Sequence, residues 1–90
     1  MSVRYHVLAS DELMAQWNPE IAPSCLRPVE QEPTDPARYP GMHWWLFEDD
    51  DAPADLDGKK VELTFMRGRM SETDPLTTDR AAVSDRRVMA

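Results

Sequence analysis

The sequence predicts a small α+β domain: an antiparallel sheet of three to four strands, one short helix on a face of it, and a proline-rich extended wrap. Three observations lead there. Apolar residues alternate at period two in residues 3–8 and again in residues 61–65, the spacing of half-buried strands. Leu13, Met14 and Trp17 recur at helical spacing behind a polar start. Six of the eight prolines, Pro19, Pro23, Pro28, Pro33, Pro36 and Pro40, fall between residues 19 and 40. A small all-β barrel or sandwich is the alternative reading of the same pattern.

The first strand is expected at residues 3–8, where Val3, Tyr5 and Val7 share one face and Arg4, His6 and Leu8 the other. Ser10 then has the character of a helix N-cap, with Asp11 and Glu12 in the first turn, where acids meet the positive end of the helix dipole. Asn18-Pro19 stops that helix after about two turns. In residues 19–40 no helix survives the proline spacing, and a central strand would lack ladder donors. An extended wrap is expected there, anchored by Ile21, Leu26 and Val29, with residues 31–38 the best candidate for disorder.

A hairpin is expected next. Met42, Trp44 and Leu46 point one way and His43, Trp45 and Phe47 the other. The returning strand gathers Val61, Leu63 and Phe65 on one face, and Asp57-Gly58 supplies turn chemistry between them. The acidic run Glu48, Asp49, Asp50, Asp51 is expected to bend out of the sheet. Residues 42–47 are apolar on both faces, so that strand belongs in the middle of a sheet or leaves one face for a partner. Residues 69–79 read as a polar loop. Residues 83–88 read as a charged edge strand, with a short helix capped by Thr78 and Asp79 as the alternative.

Ninety residues allow one domain, residues 1–90, with a modest core. The apolar fraction is 41% and the charged fraction 30%, which suits a folded chain with irregular parts. The single Cys25 excludes an internal disulfide, and residues 1–7 hold no long apolar stretch, so a cytoplasmic, non-membrane protein is expected. Net charge is −7 and lopsided: residues 9–57 hold twelve acids against Arg27 and Arg38. Nucleic acid and anionic membranes would be repelled by such a surface, and a basic partner would be steered toward it.

Motifs for chemistry are sparse. Aligning Gly58 with the invariant glycine of an EF-hand loop puts Pro53 and Thr64 at two ligand positions, so no calcium motif is present. His6, His43 and Cys25 lack zinc spacing. Cys25, His43 and an acid could form a triad only through the fold, and Gly41, Gly58 and Gly68 are too scattered to cradle phosphate. Arg67, Arg69, Arg80, Arg86 and Arg87, with Trp44 or Trp45 for stacking, are the only nucleic-acid candidates, and pairing with the excess carboxylates is their more ordinary role.

The function these residues predict is therefore a non-catalytic acidic interaction module, an inhibitor or nucleic-acid mimic that binds a basic protein surface. Its expected contact residues are Trp45, Phe47, Glu48, Asp49, Asp50, Asp51, Asp55 and Asp57, with no catalytic residue, metal or cofactor. The alternatives are a small metal-dependent or enzymatic accessory domain using His43 with loop carboxylates, and a structural domain without independent activity.

Overall fold

The first strand, β1, runs Val3–Ser10 with its odd-numbered residues inward, as the alternation requires. The structure is a computed structural model that describes residues 2–66, 68–70 and 82–89. Ser10 ends β1 and starts the helix α1 (Asp11–Ala15), its Oγ accepting the Leu13 N–H at 3.1 Å. The cap forms as the sequence predicts, and Leu13 carries the helix onto the core.

Within the proline-rich wrap lies a strand, β2 (Leu26–Glu32), that the sequence reading did not place. It is an edge strand, which reconciles it with Pro28: an edge needs ladder donors on one side only. The register slips between Pro28 and Glu30, leaving Val29 bulged and exposed. Residues 31–38 have defined partners. Thr34 Oγ1 accepts the Trp44 N–H at 2.7 Å, and Asp35 folds a turn by accepting the Ala37 N–H at 2.9 Å.

The third strand, β3 (Met42–Asp49), is the centre of the first sheet, whose order is β1-β3-β2. The central position expected of a strand apolar on both faces is present: β3 is flanked on both edges by its own chain. It corrects two expectations. The strand does not bend away at Glu48 but continues to Asp49, and it does not pair with residues 61–65. Its partner is β1, with Tyr5 opposite Phe47 and Val7 opposite Trp45.

After β3 the chain crosses residues 50–60 through a 3-10 turn (Ala54–Leu56) and reaches the far edge of β1. There the Gly58 N–H donates to the Arg4 carbonyl at 2.7 Å and the His6 N–H to the Lys59 carbonyl at 2.9 Å. Gly58, with φ +76°, makes the turn the Asp57-Gly58 pair predicts, but it delivers the chain alongside β1 instead of back along β3.

The second sheet, order β5-β4-β6, is built from β4 (Val61–Phe65), β5 (Gly68–Arg69) and β6 (Val83–Val88). The expected strand at residues 83–88 is present. The rest of the expected polar loop, residues 71–79, and the helix start at Thr78 and Asp79 lie outside the described residues. Among the described residues the fold is thus two small antiparallel sheets in place of one, with one short α-helix and a 3-10 turn, an arrangement that suits a small α+β or mostly-β fold.

Both sheets turn apolar faces to one cluster. Tyr5, Val7, Leu26 and Phe47 enter from the first sheet and Val61, Leu63 and Phe65 from the second; Leu13, Leu56 and Met70 complete the cluster. Each fully buried Phe, Leu or Val contributes roughly 1.5–3 kcal/mol by leaving water. No described helix is long and apolar enough to cross a membrane.

Candidate functional site

Because Glu48 and Asp49 lie on β3, their side chains alternate between its faces, and Asp50 begins the loop beyond it. Glu48 points out, Asp49 in, and Asp50 out again. Glu48 sits between Arg4 on β1 and Arg27 on β2, its direct neighbours in the register. Arg4 Nη2 reaches Glu48 Oε2 at 3.1 Å, and Arg27 Nη2 reaches Glu48 Oε1 at 2.6 Å. Arg27 also grips Asp50 with both terminal nitrogens at 2.9 Å, and Ser2 Oγ donates to Asp50 Oδ1 at 2.6 Å. Arg27 and then Arg4 lower the Glu48 carboxyl; Arg27 and Ser2 hold Asp50 well below the usual carboxylate range.

Asp49 is fully buried at 0% exposure. Its carboxylate accepts from Tyr5 Oη, from Arg86 Nε at 2.6 Å and Nη2 at 3.2 Å, and from the Asp51 N–H at 2.9 Å. Desolvation pushes this carboxyl up, but the bonds from Arg86, Tyr5 and Asp51 outweigh it and the net shift is downward, so Asp49 is an anion at neutral pH. Burial, reinforced by the Asp49 charge, raises the Tyr5 phenol far above its ordinary value. Asp49 and Phe47, both 0% exposed, are therefore not part of the expected contact surface: period-two alternation continued from Trp45 through Asp49 sends both inward.

Trp45 is half-buried and packs against the core from the inner face, its Nε1 without an acceptor among the described residues. Trp44 lies on the outer face yet is only 9% exposed, covered by Tyr39 and Lys60. Neither indole stands open as an anchor.

The remaining acids of the segment, Asp51, Asp55 and Asp57, are exposed and have no cation within ion-pair distance among the described residues. Their loop is held at several points. The Asp50 N–H donates to the Cys25 carbonyl at 2.8 Å, Asp57 Oδ1 accepts the Arg4 N–H at 3.1 Å, and Leu56 is buried beneath the turn.

The other chemistry-bearing residues are dispersed. His43 Nδ1 meets Asp11 at 2.5 Å at the start of β3, whereas Cys25 lies beside Asp50 beyond its end. Seven residues of strand, about 23 Å, separate those positions, so no Cys25–His43 pair forms. Burial, with Asp49 and Asp51 nearby, raises the Cys25 thiol and disfavours the thiolate. His6 contacts Glu32 at 3.5 Å. Among the described residues no three His, Cys, Asp or Glu side chains converge as a metal site. Arg69, Arg86 and Arg87 pair with Glu62, Asp49 and Asp85, the ordinary role expected of them. Comparison with protein-family models, curated proteins and solved structures returned no match.

Proposed function

We propose that this chain is a non-catalytic acidic interaction module that offers the exposed carboxylates of the loop at residues 50–57 to a basic protein surface. The supporting observation is that the loop is pinned, by Leu56 in the core and by backbone bonds to Arg4 and Cys25, while Asp51, Asp55 and Asp57 are exposed with no cation within ion-pair distance among the described residues. Fixed carboxylates lose little conformational freedom on binding, so more of the Coulomb attraction survives as affinity. They also steer a cationic partner during approach. Glu48 and Asp50 add field but share their charge with Arg4 and Arg27. Spaced carboxylates on a rigid loop present a basic groove with the same chemistry as a run of phosphates, which makes a groove that takes nucleic acid the natural target.

Protamine, an arginine-rich peptide, is a suitable probe. The triple variant Asp51→Asn/Asp55→Asn/Asp57→Asn should lose affinity at least about fivefold more than the charge-matched Glu12→Gln/Glu20→Gln/Glu30→Gln, and binding should weaken steeply with salt. Equal losses in the two variants would mean that only net charge matters and would refute the loop as the site.

A further inference from the structure

Arg4, Arg27, Arg69, Arg86 and Arg87 each pair with a carboxylate. Two other cations do something different in this acid-rich chain. Lys60 Nζ lies 4.9 Å from the centre of the Trp44 ring, and the Arg38 guanidinium 5.3 Å from that of Tyr39. Neither has a carboxylate within ion-pair distance among the described residues. Both border one groove of 380 Å³ on the outer side of the first sheet, with Pro33 and Met89 as further apolar walls. Trp44 and Tyr39 meet edge to face at 6.0 Å and 79°, giving the groove a right-angled aromatic corner.

We propose that this groove binds a small organic oxyanion, a carboxylate or phosphate ester carried on an apolar ring. The two cations supply the charge, and Tyr39, Pro33 and Met89 supply the apolar wall for the ring, Trp44 lying buried beneath Lys60. The volume lies at the lower end of the roughly 300–1,000 Å³ common for small-molecule sites. The Thr34 hydroxyl on the groove wall is already committed: its Oγ1 accepts from the Trp44 N–H and donates to the Glu32 carbonyl. Each cation is held over a ring, so an anion entering the groove meets charge that is already positioned. Asp35 also borders the groove and opposes the anion, which restricts the ligand to one compact charged group. Lys60 follows Asp57 by three residues, but none of Asp51, Asp55 and Asp57 borders the groove, so this proposal and the acidic-loop reading can fail separately.

The test is a titration of the full chain followed by the Trp44 indole N–H signal in two-dimensional NMR, with phenyl phosphate, benzoate and inorganic phosphate as probes. Phenyl phosphate or benzoate should give a saturable shift in the millimolar range, at least about threefold tighter than inorganic phosphate, and the better of the two identifies the anionic group. Lys60→Gln and Arg38→Gln should each weaken binding roughly threefold or more, Lys59→Gln should leave it unchanged, and Asp35→Asn should tighten it. The proposal fails if neither aromatic probe saturates, if inorganic phosphate binds equally well, or if Lys59→Gln costs as much as Lys60→Gln.

Discussion

Tyr5 and Arg86 come from different sheets and end on the same carboxylate, that of Asp49. Tyr5 stands on β1 and Arg86 on β6, separated by 81 positions in sequence. The two sheets are therefore joined by a charged bond as well as by their apolar faces. A charge in the interior is tolerable only when its lone pairs are occupied, and here they are accounted for by a phenol, a bidentate guanidinium and a backbone N–H.

Adjacent acids should consequently behave in opposite ways. Asp49→Asn strands Arg86 and is expected to cost about 3–5 kcal/mol, enough to lower the melting temperature by at least ~12 °C in a domain of this size. Asp50→Asn, one residue along, breaks only exposed, solvent-screened pairs and should leave the melting temperature nearly unchanged. Thermal unfolding of the two variants, followed by circular dichroism, checks this; similar losses would show that the buried network is not special.

The pH response follows from the same groups. Asp49, Glu48 and Asp50 have folded-state carboxyls below their ordinary values, so the stability they contribute is present above about pH 4 and lost as pH falls further. Tyr5 is raised, so its contribution is present below about pH 10 and lost as pH rises beyond it. Urea denaturation across pH should show both limbs. Tyr5→Phe should flatten the alkaline one, and an unchanged alkaline slope would exclude Tyr5 as its source.

Ser10 gives a local prediction. Ser10→Ala removes the acceptor for the Leu13 N–H and should cost about 0.5–2 kcal/mol. Hydrogen exchange should quicken at Leu13 ahead of the β3 amides. Uniform acceleration across both would mean that the cap stabilises the whole fold and not the helix start.

Gly58 isolates a backbone effect. Its φ is +76°, and an added Cβ would meet nothing within 4 Å. Gly58→Ala should thus cost only the left-handed conformation, roughly 1–2 kcal/mol, and Gly58→Asn less, since Asn tolerates that region better. Chemical denaturation of the pair tests the ordering, and an Asn variant weaker than the Ala variant would contradict it.

What the sequence revealed tracks how local each signal is. The alternation of Val3, Tyr5 and Val7, the Ser10 cap, the inward trio of Val61, Leu63 and Phe65, and the strand around Arg86 all rest on near neighbours, and each is present. Pairing was illegible. Nothing between residues 42 and 65 reveals that β1 has already taken the edge of β3 that a hairpin would use. The site suffered in the same way. Four acids in a row resemble one patch until the strand is extended to Asp49, and Arg86, the residue that permits an acid to turn inward, lies 37 positions away.

The bulged edge strand has a consequence for life in a crowded solution. A sheet edge is a template on which other chains can polymerise, and among the described residues no strand covers the outer edge of β2. Pro28 carries no hydrogen to donate, Val29 stands out of step, and Pro33 follows immediately after the last paired residue. A strand approaching from outside would find the ladder missing its rungs. The prolines that obscured β2 in the sequence are also its safeguard against fibril growth.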